Sequence, residues 1–254
     1  MKEYILLVIV GFLAGIINTL AGGGSVMTLP MLIFMGLPPV VANGTNRIAI
    51  FIQNIFGTAG FRSKGIKDFP FNIYMGISAM IGALIGANFG VNIKGEYFNI
   101  ILGFVMLFVV AMLFVKPNIN AALAEIQIDG KHFWYGIIAF FFIGIYGGFI
   151  QAGTGFFILL ALSRINNFSL VRANAIKSFV ILFFTITALI VYIMNDAINW
   201  KVGLVLAVGN SSGAWLASRW SVGKSDKLIK RFLVVVVLIM IVKLWFPSLL
   251  SFKF

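Results

Sequence analysis

The chain has 254 residues, 61% of them apolar and only 10% charged, with a mean hydropathy of +1.07. So little polar surface excludes a water-soluble domain, and recurring apolar runs of spanning length without barrel-type alternation make it a polytopic, all-α membrane protein. With a net charge of +12, no cysteine and the single His132, the sequence excludes a disulfide framework and a thiolate or imidazole metal site, and its cations stand mostly between apolar runs, where a bilayer explains them without nucleic acid.

The first apolar segment, at about 4 to 20, runs into AGGGSVMTLP, Ala21 to Pro30. Three glycines in a helix interior cost about 1 kcal/mol each relative to alanine, so the backbone there is expected to be non-helical. In hydrocarbon, such backbone is tolerated only where protein buries it or where it lines a watery cavity. Further segments are predicted at about 25 to 36, 40 to 61, 70 to 91 and 98 to 115, followed by a polar linker, 117 to 132. Beyond it lie 133 to 151, 155 to 163, 171 to 193, 201 to 218 and 228 to 246, with a second break in QAGTGFF, Gln151 to Phe157. Pro38, Pro39 and Pro70 stand at expected helix starts, and Pro117 and Pro247 at expected stops. Lys2 is offset by Glu3 and the apolar pattern continues, so the N-terminal segment reads as a span rather than a cleaved signal.

The two breaks share a register. An offset of 131 residues carries Gly22 onto Gly153, Asn43 onto Asn174 and Gly82 onto Gly213, which divides the chain into repeats at 1–116 and 133–254. Equivalent loops carry opposite charge bias. The loop after the third segment holds Arg62, Lys64 and Lys67 against Lys201 alone, while the next holds Lys94 alone against Arg219, Lys224, Lys227, Lys230 and Arg231. Inverted repeats resolve this, placing twelve of the nineteen cations on the cytoplasmic side and both termini outside. Inversion needs an odd number of crossings per half, which three full helices supply if the first two segments form a hairpin. The 25 to 36 segment, about 18 Å long, is too short to cross the bilayer core and fits a re-entrant half-helix. Gly82, Gly86 and Gly90, with Gly213, Ala217 and Ser221, form small-residue stripes expected to pack helices closely.

Half-helices that begin inside a membrane aim free N–H groups and the positive end of their dipole at whatever occupies the cavity, which suits an anion. Candidate substrate-binding residues are Asn18, Gly22, Gly23, Gly24 and Ser25 in the first break and Gln151, Gly153, Thr154 and Gly155 in the second. The polar openings of the following helices, VANGTNR and VRANAIKS, add Asn43, Gly44, Thr45, Asn46 and Arg47, and Asn174 and Lys177. Arg47 and Lys177 are cations inside apolar segments, where each costs about 2.5 to 3.5 kcal/mol. They are expected either to face an anion or to snorkel to the headgroups. All seven carboxylates lie near segment ends or in loops, leaving no counter-charge for a cationic substrate and no catalytic pair.

AGGGSVMTLPML, the Gly-Leu-Pro linker and ANGTN, with AGTGFF and ANAIKS as a degenerate second copy, resemble the TauE/SafE family of sulfite exporters over nearly the whole chain. The resemblance implies a secondary transporter of small sulfur anions (sulfite, thiosulfate or an organosulfonate) in a prokaryotic inner membrane, without cofactor or metal, together with a coupling ion, proton or sodium. It maps the family glycines onto Gly22, Gly23, Gly24, Gly153 and Gly155, and the Ala-x-Gly-Thr motif onto Ala42, Gly44 and Thr45. Thr154, Ile176 and Lys177 depart from the pattern, so the two half-sites are expected to differ. The alternatives are an anion channel on the same scaffold and a non-transporting scaffold or assembly protein.

Overall fold

The structure, a computed structural model, describes residues 2–66, 70–114 and 125–223. Helices in this order make up the described residues: α1 (Lys2–Ala21), α2 (Ser25–Phe34), α3 (Pro39–Arg62), α4 (Phe71–Asn92), α5 (Gly95–Phe114), α6 (Gly130–Phe149), α7 (Thr154–Arg164), α8 (Leu170–Met194) and α9 (Trp200–Ser221). Each falls on an expected segment, with ends moved by a few residues. The largest shifts are three residues, at the starts of α5 and α6 and at the end of α9, so that His132 lies in the first turn of α6. The expected segment at 228–246, the first half of the linker (117–124), and Lys67, Asp68, Lys224, Asp226, Lys227, Lys230 and Arg231 lie outside the described residues.

Local chemistry sets the boundaries. Pro39 supplies a first helical residue whose missing N–H is no loss, and Pro70 caps α4. The stub α2 closes at Gly36, φ +90°, where the amides of Gly36 and Leu37 return to the carbonyls of Ile33 and Leu32. Pro30 within α2 removes one more helical bond, and α2 ends after ten residues.

Stretches in α1, α4, α6 and α8 are each long and apolar enough to cross a membrane. Their outward residues, among them Ile81, Leu84 and Phe89 on α4 and Ile138 and Phe142 on α6, are large, apolar and exposed, the surface a bilayer covers. The chain is an integral membrane protein.

The helices pack as two bodies. One apolar cluster joins α1, α2, α3, α5 and α9 through Leu7, Leu29, Ala49, Phe98 and Leu206. The other joins α4, α6, α7 and α8 through Met75, Ala83, Phe140, Ile158 and Phe184. Each body thus takes one helix from the opposite end of the chain.

Within the bodies α4 runs parallel to α6, and α1 to α9. Glycines make the contact: Gly82 and Gly86 of α4 lie on the carbonyls of Phe141 and Ile145 in α6, and Gly209 and Gly213 of α9 lie on Val8 and Phe12 in α1. Gly144 and Gly148 return the contact onto Ala79 and Ala83, so the stripes work from both sides. Between the bodies, α3 and α8 cross antiparallel, with Gly44 against Tyr192 and Gly57 against Ser178.

A side chain at Gly86 would meet the Ile145 backbone, which cannot rotate away. Gly86→Leu is therefore expected to destabilise the detergent-solubilised protein by about 3 kcal/mol, while the lipid-facing Ile85→Leu stays within about 0.5 kcal/mol, as read by thermal unfolding.

Candidate functional site

Both breaks are held in conformations that only particular residues adopt easily. α1 ends at Ala21 and the chain turns at Gly22, φ +85°, a left-handed geometry that glycine enters without strain. At the second break Gly153 is left-handed at φ +71°, and Gln151, at φ +56°, is a non-glycine residue in the same region at a cost of about 1–2 kcal/mol. Gln151 is locked there. Its carbonyl accepts from the Thr154 hydroxyl at 2.8 Å and the Ser25 hydroxyl at 3.4 Å, and its Nε2 donates to Thr185 Oγ1 at 3.1 Å.

The two breaks touch. A Cβ on Gly22 would overlap the backbone of Gly155, and one on Gly155 would overlap Gly22. Ser25 Oγ, at the start of α2, also accepts from the Gly153 N–H at 3.4 Å, one residue before α7. The first turns of α2 and α7 therefore stand together in the interior, with the amides of Val26, Met27, Thr154 and Phe156 bonded to the carbonyls of Gly23, Gly24, Gln151 and Gly153 respectively. Gly24 packs on Ala14 and Asn18 of α1, closing the hairpin, and Gly23 faces the Phe156 ring.

Arg47 and Lys177 are both buried, at 0% and 1% exposure, and neither snorkels. Arg47 reaches from α3 across the body boundary to the end of α6, donating to the carbonyls of Gly147 (3.1 Å), Gly148 (2.5 Å) and Phe149 (3.4 Å), with its guanidinium 4.6 Å from the Tyr192 ring centre. Lys177 reaches from α8 to the end of α1. Its three protons go to the carbonyls of Asn18 (2.7 Å) and Thr19 (2.9 Å) and to Asn174 Oδ1 (2.6 Å). Asn43 and Asn174 join the same two helix ends, donating to Phe149 and Leu20 carbonyls. The described carboxylates, Glu3, Glu96, Glu125, Asp129 and Asp196, are all exposed, so none lies against either cation in the interior.

The remaining expected residues divide. Asn18 donates to Gln53 Oε1 at 3.2 Å and Asn46 Oδ1 accepts from Thr28 at 2.7 Å, so both sit beside the hairpin. Gly44 and Thr45 do not: Gly44 packs on Ala197, and Thr45 Oγ1 accepts from the Asn199 N–H at the turn between α8 and α9. Buried polar atoms without a protein partner include Asn46 Nδ2, Arg47 Nε, Asn43 Oδ1 and Gln151 Oε1. Thr28, Tyr146, Thr185 and Tyr192 belong to this polar interior and were not among the sequence candidates. Tyr146 donates to the Ala152 carbonyl at 2.5 Å, and the Tyr192 hydroxyl accepts from Asn43 at 2.6 Å. Their sole sequence signal is a polar tip in an apolar run. A cavity of about 650 Å³ opens between the ends of α4 and α6, lined by Phe89, Ile93, Phe142, Ile145, Tyr146 and Phe149 and almost wholly apolar. Among the described residues no group of three His, Cys, Asp or Glu is placed to hold a metal.

The family model for sulfite exporter TauE/SafE matches residues 7–244. The chain belongs to the TauE/SafE family. It is 28% identical over 94% of its length to a probable membrane transporter protein, ORF9, of Sinorhizobium sp, covering 90% of that protein. It is 29% identical to the probable membrane transporter protein YfcA of Escherichia coli K12, over 94% of this chain and 88% of the relative. The corresponding values for the probable membrane transporter protein YunE of Bacillus subtilis are 25%, 94% and 95%. No solved structure matches. As a TauE/SafE member the chain is a membrane transporter and not an enzyme.

The backbone contact at the breaks ranks the glycines. Gly155→Ala and Gly22→Ala are each expected to destabilise by about 2 kcal/mol or more, because backbone must separate. Gly23→Ala is expected to cost under about 1 kcal/mol, since the Phe156 ring can turn aside. Thermal unfolding of the three variants in detergent reads the order.

Proposed function

We propose that the chain is a secondary transporter that moves small sulfur-containing anions, such as sulfite, thiosulfate or an organosulfonate, across a prokaryotic inner membrane by alternating access. One observation carries the reading: two helix starts meet in the interior, flanked by two buried cations, with no described carboxylate buried to balance them. In a low-dielectric interior, an uncompensated positive region is stabilised by an anion and repels a cation. The positive ends of α2 and α7 attract the oxyanion through their dipoles, and the partnerless Nδ2 of Asn46 and Nε of Arg47 supply donors. The sulfur class of the substrate rests on the family.

Two inverted repeats, 1–116 and 133–254 joined by the 117–132 linker, each comprise a re-entrant hairpin and three spanning helices. Parallel packing of α1 with α9 and of α4 with α6, together with the antiparallel crossing of α3 and α8, supports inversion, because it sets α1 against α6 and α4 against α9 in direction. Asn18 beside Gln53 and Thr28 beside Asn46 support a hairpin in which α1 descends along α3 and α2 climbs back. The basic loops then put both termini outside. The Gly22–Gly155 contact favours a carrier over a channel, since it leaves no room for an ion between those residues until the bodies move.

Full-length protein in proteoliposomes is expected to take up radiolabelled thiosulfate saturably, with sulfite competing and preloaded sulfite accelerating uptake. A proton or sodium gradient is expected to raise the rate. Flux equal to that of protein-free liposomes would overturn the transport reading, and flux without acceleration by preloaded anion would replace the carrier with a channel.

A further inference from the structure

Helix ends oppose helix starts in sign, and the breaks bring both together. The end of α1 lies three residues from α2, and that of α6 four residues from α7. A helix end carries about half a negative charge and a helix start about half a positive one, so a bare break offers an ion almost no net charge. Arg47 and Lys177 lie on the negative members of these pairs. Arg47 covers the carbonyls of Gly147, Gly148 and Phe149, and Lys177 those of Asn18 and Thr19.

We infer that Arg47 and Lys177 set the preferred valence of the transported anion by neutralising the carbonyl ends of α6 and α1, so that the starts of α2 and α7 act unopposed. The inference rests on the anion reading above and assigns the two cations a positioning and selectivity role. Lys177 is the clearer case. All three of its protons are engaged by protein acceptors, so it has no donor for a ligand and acts on one through its field. Arg47 retains one partnerless donor, Nε, and so combines the same field with an available N–H. Each cation comes from the other half of the chain, so removing one leaves the covered helix end with the neutral donor of Asn43 or Asn174.

A field that acts through charge has a signature that a purely structural role lacks, because Coulomb energy scales with the charge of the ligand. The test is equilibrium binding to full-length protein in nanodiscs, with thiosulfate as the dianion and methanesulfonate as the monoanion. Lys177→Gln is expected to weaken methanesulfonate about tenfold and thiosulfate about a hundredfold, so the ratio of affinities falls about tenfold. Lys177→Arg, which keeps the charge, is expected to hold the ratio within about twofold of wild type whatever happens to affinity overall. It also tests the inference if the glutamine variant does not fold. Equal losses for both anions in Lys177→Gln, or a collapsed ratio in Lys177→Arg, would overturn the inference and leave anion transport standing. Failure of the wild-type protein to bind either anion would instead overturn the anion reading itself.

Discussion

A helix that stops inside hydrocarbon leaves carbonyls and amides with no water to receive them, at several kcal/mol for each group left bare. α1 and α6 both end among buried residues of the protein interior, and a buried cation covers each end. Burying the cation costs about 2.5 to 3.5 kcal/mol on insertion scales, and charged hydrogen bonds contribute about 1.5–3 kcal/mol each, so three of them offset the burial. Asn43 and Asn174 add neutral donors at the same ends. The breaks are therefore stable without a ligand, and the buried side-chain atoms left without a protein partner beside them are Asn46 Nδ2, Arg47 Nε, Asn43 Oδ1 and Gln151 Oε1.

These bonds also tie the two bodies together. Arg47 belongs to the body of α3 and grips α6 in the other, Lys177 belongs to the body of α8 and grips α1, and the Gly22–Gly155 contact crosses the same boundary. Within each body the contacts are of another kind: glycine laid on backbone carbonyl along α4 and α6 and along α1 and α9, which leaves little freedom to slide. Apolar contacts cross the same boundary, with Ile50 of α3 in the cluster of α4, α6, α7 and α8, and Ile150 and Ala152 in the other. The chain passes from one body to the other between α3 and α4, α4 and α5, α5 and α6, and α8 and α9.

How much of this was legible follows from what each signal measures. Apolar run length and proline punctuation report where backbone can be helical in lipid, and every described helix fell on an expected segment for that reason. The repeated register of Gly22 with Gly153 and Asn43 with Asn174 located both breaks and the asparagines that join the helix ends. Partners were not legible. In a membrane helix nearly every face is apolar, so the phase of VANGTNR does not reveal that Asn46 turns to Thr28 and Arg47 to α6 while Gly44 and Thr45 turn to Ala197 and Asn199. Thr185 and Tyr192, in the mainly apolar second half of α8, acquire meaning only when Gln151 and Asn43 are brought against them.

The two halves solve one problem with different side chains, and the difference has physical content. At the register that equates Asn43 with Asn174, Lys177 matches Asn46 and Arg47 matches Ser178, so the cations sit one residue apart. The planar guanidinium spans successive carbonyls of α6 and rests on the Tyr192 ring; the compact ammonium of Lys177 sits between two carbonyls of α1 and the Asn174 amide. A guanidinium has five donors and an ammonium three. With a comparable set of backbone acceptors, Arg47 keeps an N–H unengaged and Lys177 does not. An anion at the meeting point of α2 and α7 therefore encounters positive field from both sides and a free side-chain donor from the Arg47 side alone, which makes its binding geometry asymmetric within a duplicated scaffold.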